Sequence, residues 1–384
     1  MTTPAPLPLL QRHRRFMGGL VVGLIGLLLL SNLVPDPAGR YIWRGGDKLP
    51  GAPWYQQWHG RLQRLGFYLQ DNFGFRATLP LVRLAIRDGL ESPENGFIYV
   101  GRNGQLFFAG QNGPWQSAGT LNRKEAVERF AALMMAMQRE LGPAGTEVVV
   151  ALPPNAQSVD IDQLPRWQDG YAPKHTEYSL LMDELKTRGV KAVDLRAILR
   201  ASPDVRHYLP NDTHWTYRSS VLAFNAVMRT AGHPDWQVKE DKVLGPMGPF
   251  FLGDLSRSLR RTPPLPDENQ TITLKPLGEP LPFVFEGRHE FKAFNGFAVR
   301  YAPTGPRVLI IGDSYTLNVW PRLFADTPVA EVGWMHMSKT TYGSCDFNFA
   351  DVKRFKPDLL IVARGERLFP CLNGAWPDYL ASPD

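Results

Sequence analysis

The stretch "RVLIIGDSYT", residues 307–316, packs three events into ten positions. Val308 to Ile311 form a short continuous apolar run of the kind buried strands carry, Gly312 permits a tight turn, and the chain enters a helix at Ser314. A serine between the carboxyl end of a strand and the start of a helix lies where doubly wound sheets bind their ligands. The N–H groups that open such a helix point toward the hydroxyl and suit a developing oxyanion.

The sequence on either side repeats this alternation. Upstream, Ala126, Phe130, Leu133, Met134, Met137 and Leu141 fall on one helical face that Gly142-Pro143 ends, and "EVVVAL" (147–152) is a second apolar run. A helix over 176–188, a strand over 190–195 and a helix over 216–230 follow, and "PVAEVGWM" and "PDLLIVARGER" supply two later strands. Strands and helices in alternation predict an α/β domain with a mainly parallel sheet flanked by helices. Two departures from the rhythm stand out. "GFIYVGRNGQLFFAG" alternates around Asn and Gly as a hairpin does, and 236–300 predicts a small β-rich insertion through "TITLKPL", "LPFVFEG" and "GFAVRYA".

At the front, "FMGGLVVGLIGLLLLSNLV" (16–34) runs about 19 residues without a charge, close to the roughly 20 that cross a bilayer as a helix. Arg12, Arg14 and Arg15 precede it, and the positive-inside rule then keeps the N-terminus in the cytoplasm and exports the rest. A cleaved signal peptide is the other reading, but "SNLVPDPAGR" offers no clean small-x-small site. The expected organisation is a basic flank and transmembrane anchor over 1–35, a Pro/Gly-rich linker over 36–60 and an exported domain over 61–384, held in the periplasm by a single pass through a bacterial inner membrane.

The formal charge of +6 owes half its size to the three anchor arginines, and the remainder is scattered too evenly to give a nucleic-acid footprint. The two cysteines, Cys345 and Cys371, both fall in the exported part, where the compartment favours a disulfide; two separate thiols are the alternative.

A serine hydroxyl attacks well only when a base takes its proton. "YLPNDTHWTYRSS" (208–220) offers one: Asp212 can hold the His214 imidazole by one nitrogen and leave the other for Ser314. Two bland readings compete. Asp212 and Thr213 also suit the capping of the helix that follows, with His214 a structural histidine, and His207, Asp212 and His214 have the composition of a zinc site.

Taken in order, "DNFGFR" (71–76), "VVVALPPN" (148–155), "NDTHWT" (211–216), "GDL" (253–255), "IGDSYT" (311–316) and "RGER" (364–367) resemble the alginate O-acetyltransferase family, the AlgJ and AlgX type of SGNH-hydrolase-like proteins. In ordinary SGNH hydrolases the serine block comes first; here Asp-x-His precedes it, as in the alginate family. The resemblance implies Ser314 as nucleophile, His214 as base and Asp212 as its orienter, with no metal and no diffusible cofactor. It matches Arg364, Glu366 and Arg367 to a charged element without a role, while Tyr315, Asn318 and Arg364 are the candidates for substrate or oxyanion contact. The AlgX-type carbohydrate-binding module has no counterpart, which places the chain nearer the membrane-anchored AlgJ type. The resemblance further implies a polysaccharide acceptor and a membrane-bound O-acyltransferase that delivers acetyl groups. Two other functions remain open on the residues alone: a polysaccharide acetylesterase with the same triad, and a non-catalytic polysaccharide-binding or assembly component.

Overall fold

The computed structural model describes residues 8–31, scattered positions between 36 and 86, and everything from 98 to 371 except 166–167, 169–174, 203–205, 251–252, 259–266, 287–290 and 340–343. The chain divides into two units, one made of 1–90 with 256–266, the other of 91–255 with 267–384. In the first, Pro8–Ser31 is one helix, α1, and Phe73–Phe75 is a short 3₁₀ turn with Gly74 and Phe75 both at positive φ. Thr78 donates both its N–H and its hydroxyl to the Asp36 carboxylate.

Among the described residues no helix is long and apolar enough to cross a membrane. The uncharged part of α1, Phe16 to Ser31, rises roughly 24 Å at 1.5 Å per residue, short of a hydrocarbon core of about 30 Å. Residues 32–34 of the expected span lie outside the described residues.

The second unit holds the α/β fold. The hairpin pairs Ile98–Val100 with Leu106–Phe108, and Asn103 and Gly104 in its loop both take positive φ, as the sequence suggests. Helix α2 (Lys124–Leu141) leads into β1 (Glu147–Ala151); α3 (Glu177–Thr187) precedes β2 (Lys191–Val193), and α4 (Tyr217–Thr230) follows. Further on come β3 (Glu279–Pro280), β4 (Phe297–Arg300), β5 (Arg307–Gly312), the short helix α5 (Ser314–Leu317), β6 (Glu331–His336) and β7 (Leu359–Ala363). One seven-stranded sheet orders them β2-β1-β7-β5-β6-β4-β3. From β2 to β6 all neighbours are parallel, whereas β4 runs antiparallel to β6 and to β3.

The apolar runs are explained by burial on both faces. Val149 and Ala151, Val308 and Ile310, and Leu359 and Ile361 join one core layer with Val221, Phe224 and Val227 of α4. Their alternates Val148 and Val150, Leu309 and Ile311, and Leu360 and Val362 join the opposite layer with Phe130, Met134 and Met137 of α2 and Leu181 of α3. Each such side chain contributes about 1.5–3 kcal/mol on leaving water. Thr176 and Thr216 cap α3 and α4 by accepting from the N–H groups of Ser179 and Ser219.

The insertion departs from expectation. "TITLKPL" contributes to Asp267–Ile272, which pairs antiparallel with Leu244–Phe250 as a separate ribbon, but "GFAVRYA" forms β4 of the main sheet. Ala298 and Val299 are both buried, one in each core layer, so this strand is covered on two faces like the parallel ones. The described residues of "LPFVFEG", 281–286, form no strand; Phe283 and Phe285 instead pack edge-on against one another and meet the Phe355 ring.

Cys345 and Cys371 are joined as a disulfide, with their Cα atoms 5.6 Å apart and a sequence separation of 26. The loop-closure entropy removed from the unfolded chain is about 3–4 kcal/mol for this span. Cys345→Ala with Cys371→Ala is therefore expected to lower the unfolding free energy by that amount, read by urea unfolding against the oxidised wild type.

Candidate active site

The end of β5 sets the serine. Gly312 has no room for a side chain, since a Cβ there would strike the Thr316 hydroxyl, which itself accepts from the Trp334 indole at 3.0 Å. Asp313 follows as N-cap of α5: its carboxylate accepts from the Tyr315 N–H at 3.0 Å and, with the other oxygen, from the Gly365 N–H at 2.7 Å. The second bond crosses to the segment after β7, so the turn carrying Ser314 is tied to the neighbouring strand.

The histidine arrives from another direction. Tyr208 and Trp215 form an antiparallel bridge, closing residues 209–214 into a loop ahead of α4, and the Thr216 N–H donates to the His207 carbonyl. Within that loop Asp212 Oδ1 lies 2.6 Å from His214 Nδ1 and accepts the His214 backbone N–H at 2.9 Å. His214 Nε2 lies 2.9 Å from Ser314 Oγ. Residues a hundred positions apart thus form one hydrogen-bonded chain from carboxylate through imidazole to hydroxyl. Burial works to raise the Asp212 pKa, but the hydrogen bonds and charge of His214 outweigh it and hold the carboxyl below its ordinary value. It stays ionised while the imidazole needs a partner.

Asp254, quoted within the "GDL" block but given no role from sequence, completes the setting. Its N–H donates to Asp212 Oδ2 at 3.0 Å, and its carboxylate accepts from the Thr213 N–H and hydroxyl. Asp254 Oδ2 is 3.8 Å from His214 Nδ1, a second negative charge beside the ring. Asp212, His214 and Asp254 therefore have the composition of a metal site. The 2.6 Å approach of His214 to Asp212 is a hydrogen-bond distance that leaves no place for an ion between those two atoms. The zinc set with His207 is not assembled: among the described residues the potential ligand atoms that lie together are those of Asp212, His214 and Asp254, and His207 Nδ1 faces the Ser219 hydroxyl at 3.2 Å.

The remaining sequence candidates divide. Tyr315 is buried with both its hydrogens used, the N–H on Asp313 and the phenol on the Thr213 carbonyl at 2.8 Å; burial pushes its pKa up beyond the ordinary phenol range. It packs against His214 and Trp215 and positions them, leaving no donor for an oxyanion. Asn318 is exposed at the end of α5. Arg364 is fully buried and donates to the carbonyls of Leu368 and Ser344, so it braces loops and cannot meet substrate. Burial lowers its pKa to about 10, partly offset by Asp313 and Asp346, and it remains charged.

Glu366 is likewise structural: it accepts from the Asn155 N–H and the Ser158 hydroxyl and fixes the "LPPN" turn after β1. Arg367 is the member of "RGER" that faces the site. Its guanidinium lies over the rings of Phe108 and Tyr315, and it lines a small cleft with Asp212, Thr213, Asn155 and Leu255. A lone arginine near the C-terminus gives no signal of this in sequence; its position depends on the hairpin that supplies Phe108.

Residues 98–264 match the family described as SGNH hydrolase-like domain, acetyltransferase AlgX, as the sequence resemblance implied. No curated protein matches the chain. A DHHW family protein from Eubacterium siraeum superposes with a TM-score of 0.50 at 15% identity, over 73% of this chain and 93% of that one. Bacillus cereus PatB1 with a sulfonyl adduct gives 0.50 at 11% identity, over 70% and 93%. The O-acetyltransferase domain of Pseudomonas putida AlgJ gives 0.49 at 17% identity, over 74% and 97%. The fold is SGNH-like α/β with a mixed sheet.

Asp313→Ala strips two buried N–H groups, on Tyr315 and Gly365, of their acceptor, and each buried unpaired donor costs about 1–3 kcal/mol. The expected loss is roughly 2–6 kcal/mol in urea unfolding, with Asp313→Asn losing less because its amide oxygen still accepts one of them.

Proposed function

We propose that this chain, which carries an SGNH hydrolase-like domain of the AlgX acetyltransferase family, is an O-acetyltransferase that moves acetyl groups onto hydroxyls of a bacterial exopolysaccharide, alginate or a relative of it. The observation that carries the reading is the continuous contact from Asp212 through His214 to Ser314.

In the first half-reaction Ser314 Oγ attacks the carbonyl carbon of an acetyl ester while His214 Nε2 takes the hydroxyl proton. The tetrahedral intermediate collapses, the donor's oxygen leaves with the proton from His214, and Ser314 keeps the acetyl group. In the second half-reaction a sugar hydroxyl gives its proton to His214 and attacks the acetyl-serine. The new ester leaves on the sugar, and the proton returns to Ser314. Asp212 holds the ring tautomer that presents Nε2 and offsets the charge of the imidazolium. The N–H groups of Tyr315, Thr316 and Leu317 are all bonded to Asp313, which leaves the Ser314 N–H at the start of α5 as the donor for the oxyanion.

In this reading residues 16–34 anchor the protein in the inner membrane with the catalytic unit in the periplasm, and a membrane-bound O-acyltransferase supplies the acetyl group. The arginines before the apolar run and none within it support that orientation.

Ser314→Ala and His214→Ala are each expected to lower acetyl transfer at least a thousandfold, with Asp212→Asn also severe because the amide favours the wrong tautomer. The assay supplies an acetyl ester donor and an oligosaccharide, and mass spectrometry counts acetyl groups on the sugar. Acetylated oligosaccharide is the expected product, since a bound hydroxyl competes with water through its effective concentration. Free acetate alone at saturating oligosaccharide, with the same residues required, makes the protein an esterase.

A further inference from the structure

The "GDL" turn (253–255) backs the histidine loop along its catalytic stretch. Gly253 sits so close that a Cβ there would stand 2.5 Å from the Asn211 carbonyl oxygen, and the same carbonyl accepts the Leu255 N–H at 3.1 Å. Between them Asp254 meets the next two residues of the loop. Its N–H donates to Asp212 Oδ2, while its carboxylate accepts the Thr213 N–H at 2.8 Å and the Thr213 hydroxyl at 2.6 Å. The oxygen that takes the hydroxyl, Oδ2, is also the one 3.8 Å from His214 Nδ1. One ring nitrogen therefore faces two carboxylates, Asp212 in hydrogen-bond contact and Asp254 about 1 Å beyond that range. The two differ in freedom: the Asp212 side chain is 7% exposed and held by both oxygens, whereas the Asp254 side chain is 33% exposed at the start of a short helix.

We infer that Asp254 is a positioning residue of the triad and a reserve acceptor for His214 Nδ1. With Asp212 in place, the Asp254 N–H fixes that carboxylate against the ring, and the Asp254 charge lies beside the imidazolium that forms in each half-reaction. Without Asp212, a small turn of the Asp254 side chain brings Oδ2 into hydrogen-bond range of Nδ1. The ring then keeps the tautomer that presents Nε2 to Ser314. The Thr213 hydroxyl, 3.4 Å from the same nitrogen, cannot stand in, because it is neutral and does not balance the imidazolium charge. An amide at position 212 blocks the exchange, since it stays in contact with the ring; an alanine opens the path. The role takes Ser314 and His214 as nucleophile and base from the proposed function, and it is the same whether a sugar or water accepts the acetyl group.

The test is a double-mutant cycle on the purified full chain: wild type, Asp212→Ala, Asp254→Asn and both together. Two rates are read, acetylation of Ser314 by p-nitrophenyl acetate from the burst of p-nitrophenolate, and labelling of Ser314 by phenylmethanesulfonyl fluoride from the intact mass. Asp254→Asn alone, which keeps the N–H on Asp212, is expected to slow both about three- to fivefold and to leave the KM for the ester unchanged. Asp212→Ala is expected to slow them about a hundredfold, and Asp254→Asn in that background to cost about thirtyfold more. A support that acts only through Asp212 predicts the opposite sign, a smaller cost once Asp212 has gone. Where the double variant fails to fold by circular dichroism, Asp212→Ala is compared with Asp212→Asn and is expected to be about tenfold faster. An Asp254→Asn cost that is equal or smaller in the Asp212→Ala background, or an alanine variant no faster than the asparagine one, overturns the reserve role. Wild type that neither reagent modifies at Ser314 overturns the triad and this role with it. The expected cycle without acetylated sugar rejects the acetyltransferase reading and leaves the role of Asp254 standing.

Discussion

The carboxylate of Asp313 is the constraint on which the site depends. One oxygen closes the first turn of α5 and the other reaches the backbone after β7, so two parallel central strands end at one fixed separation. Ser314 then has no freedom to drift from the histidine that comes from a different part of the chain. A capping residue, ordinarily a local device worth about 1 kcal/mol, here does long-range work. The same economy appears at Glu366, which binds the turn after β1 to the segment after β7. Buried acids thus hold the rim of the sheet together while the apolar runs hold its middle.

The aromatic side chains finish what the acids begin. Trp215 stacks on Trp320 and meets Tyr315 edge-on, and Trp320 in turn packs against Phe224 of α4. The histidine loop is therefore clamped between the helix after the serine and the helix after the histidine. Offset and edge-to-face pairs of this kind add about 0.5–1.5 kcal/mol each beyond their buried area. Because the segments that carry His214 and Ser314 share the cluster, disturbance of any ring would move the two residues together.

Much of this was legible in the sequence where a local rule was strong. The continuous apolar runs at 148–151 and 308–311 announced two-sided burial, and Gly312 with Ser314 announced the turn. The sequence spacing of Asp212 and His214 suited a pair, and the structure puts 2.6 Å between them. What escaped depends on partners distant in sequence. Nothing about Arg364 distinguishes it from Arg367 until the fold buries one under the Leu368 and Ser344 carbonyls and lays the other against Phe108. Asp254 carries no role in the sequence because its importance comes from contacts to Asp212 and Thr213, some forty residues away. Tyr315 looked like an oxyanion donor because its competing acceptor, Asp313, sits two residues back and uses the same hydrogen. The strand at 297–300 read as inserted because prolines surround it, and only its neighbours show that it widens the main sheet.

The two margins of that sheet have a bearing on how the protein behaves in a crowd of its own copies. One margin is Lys191–Val193, three residues long, with Lys191 paired to Glu147 of the next strand; the other is Glu279–Pro280, two residues long, one of which has no N–H to offer. An open strand edge is a template for another chain, and brevity, lysine and proline are the features that spoil it. The β-rich heart of the fold is accordingly closed to lateral growth, so solutions of the folded unit should resist fibril formation even at high concentration.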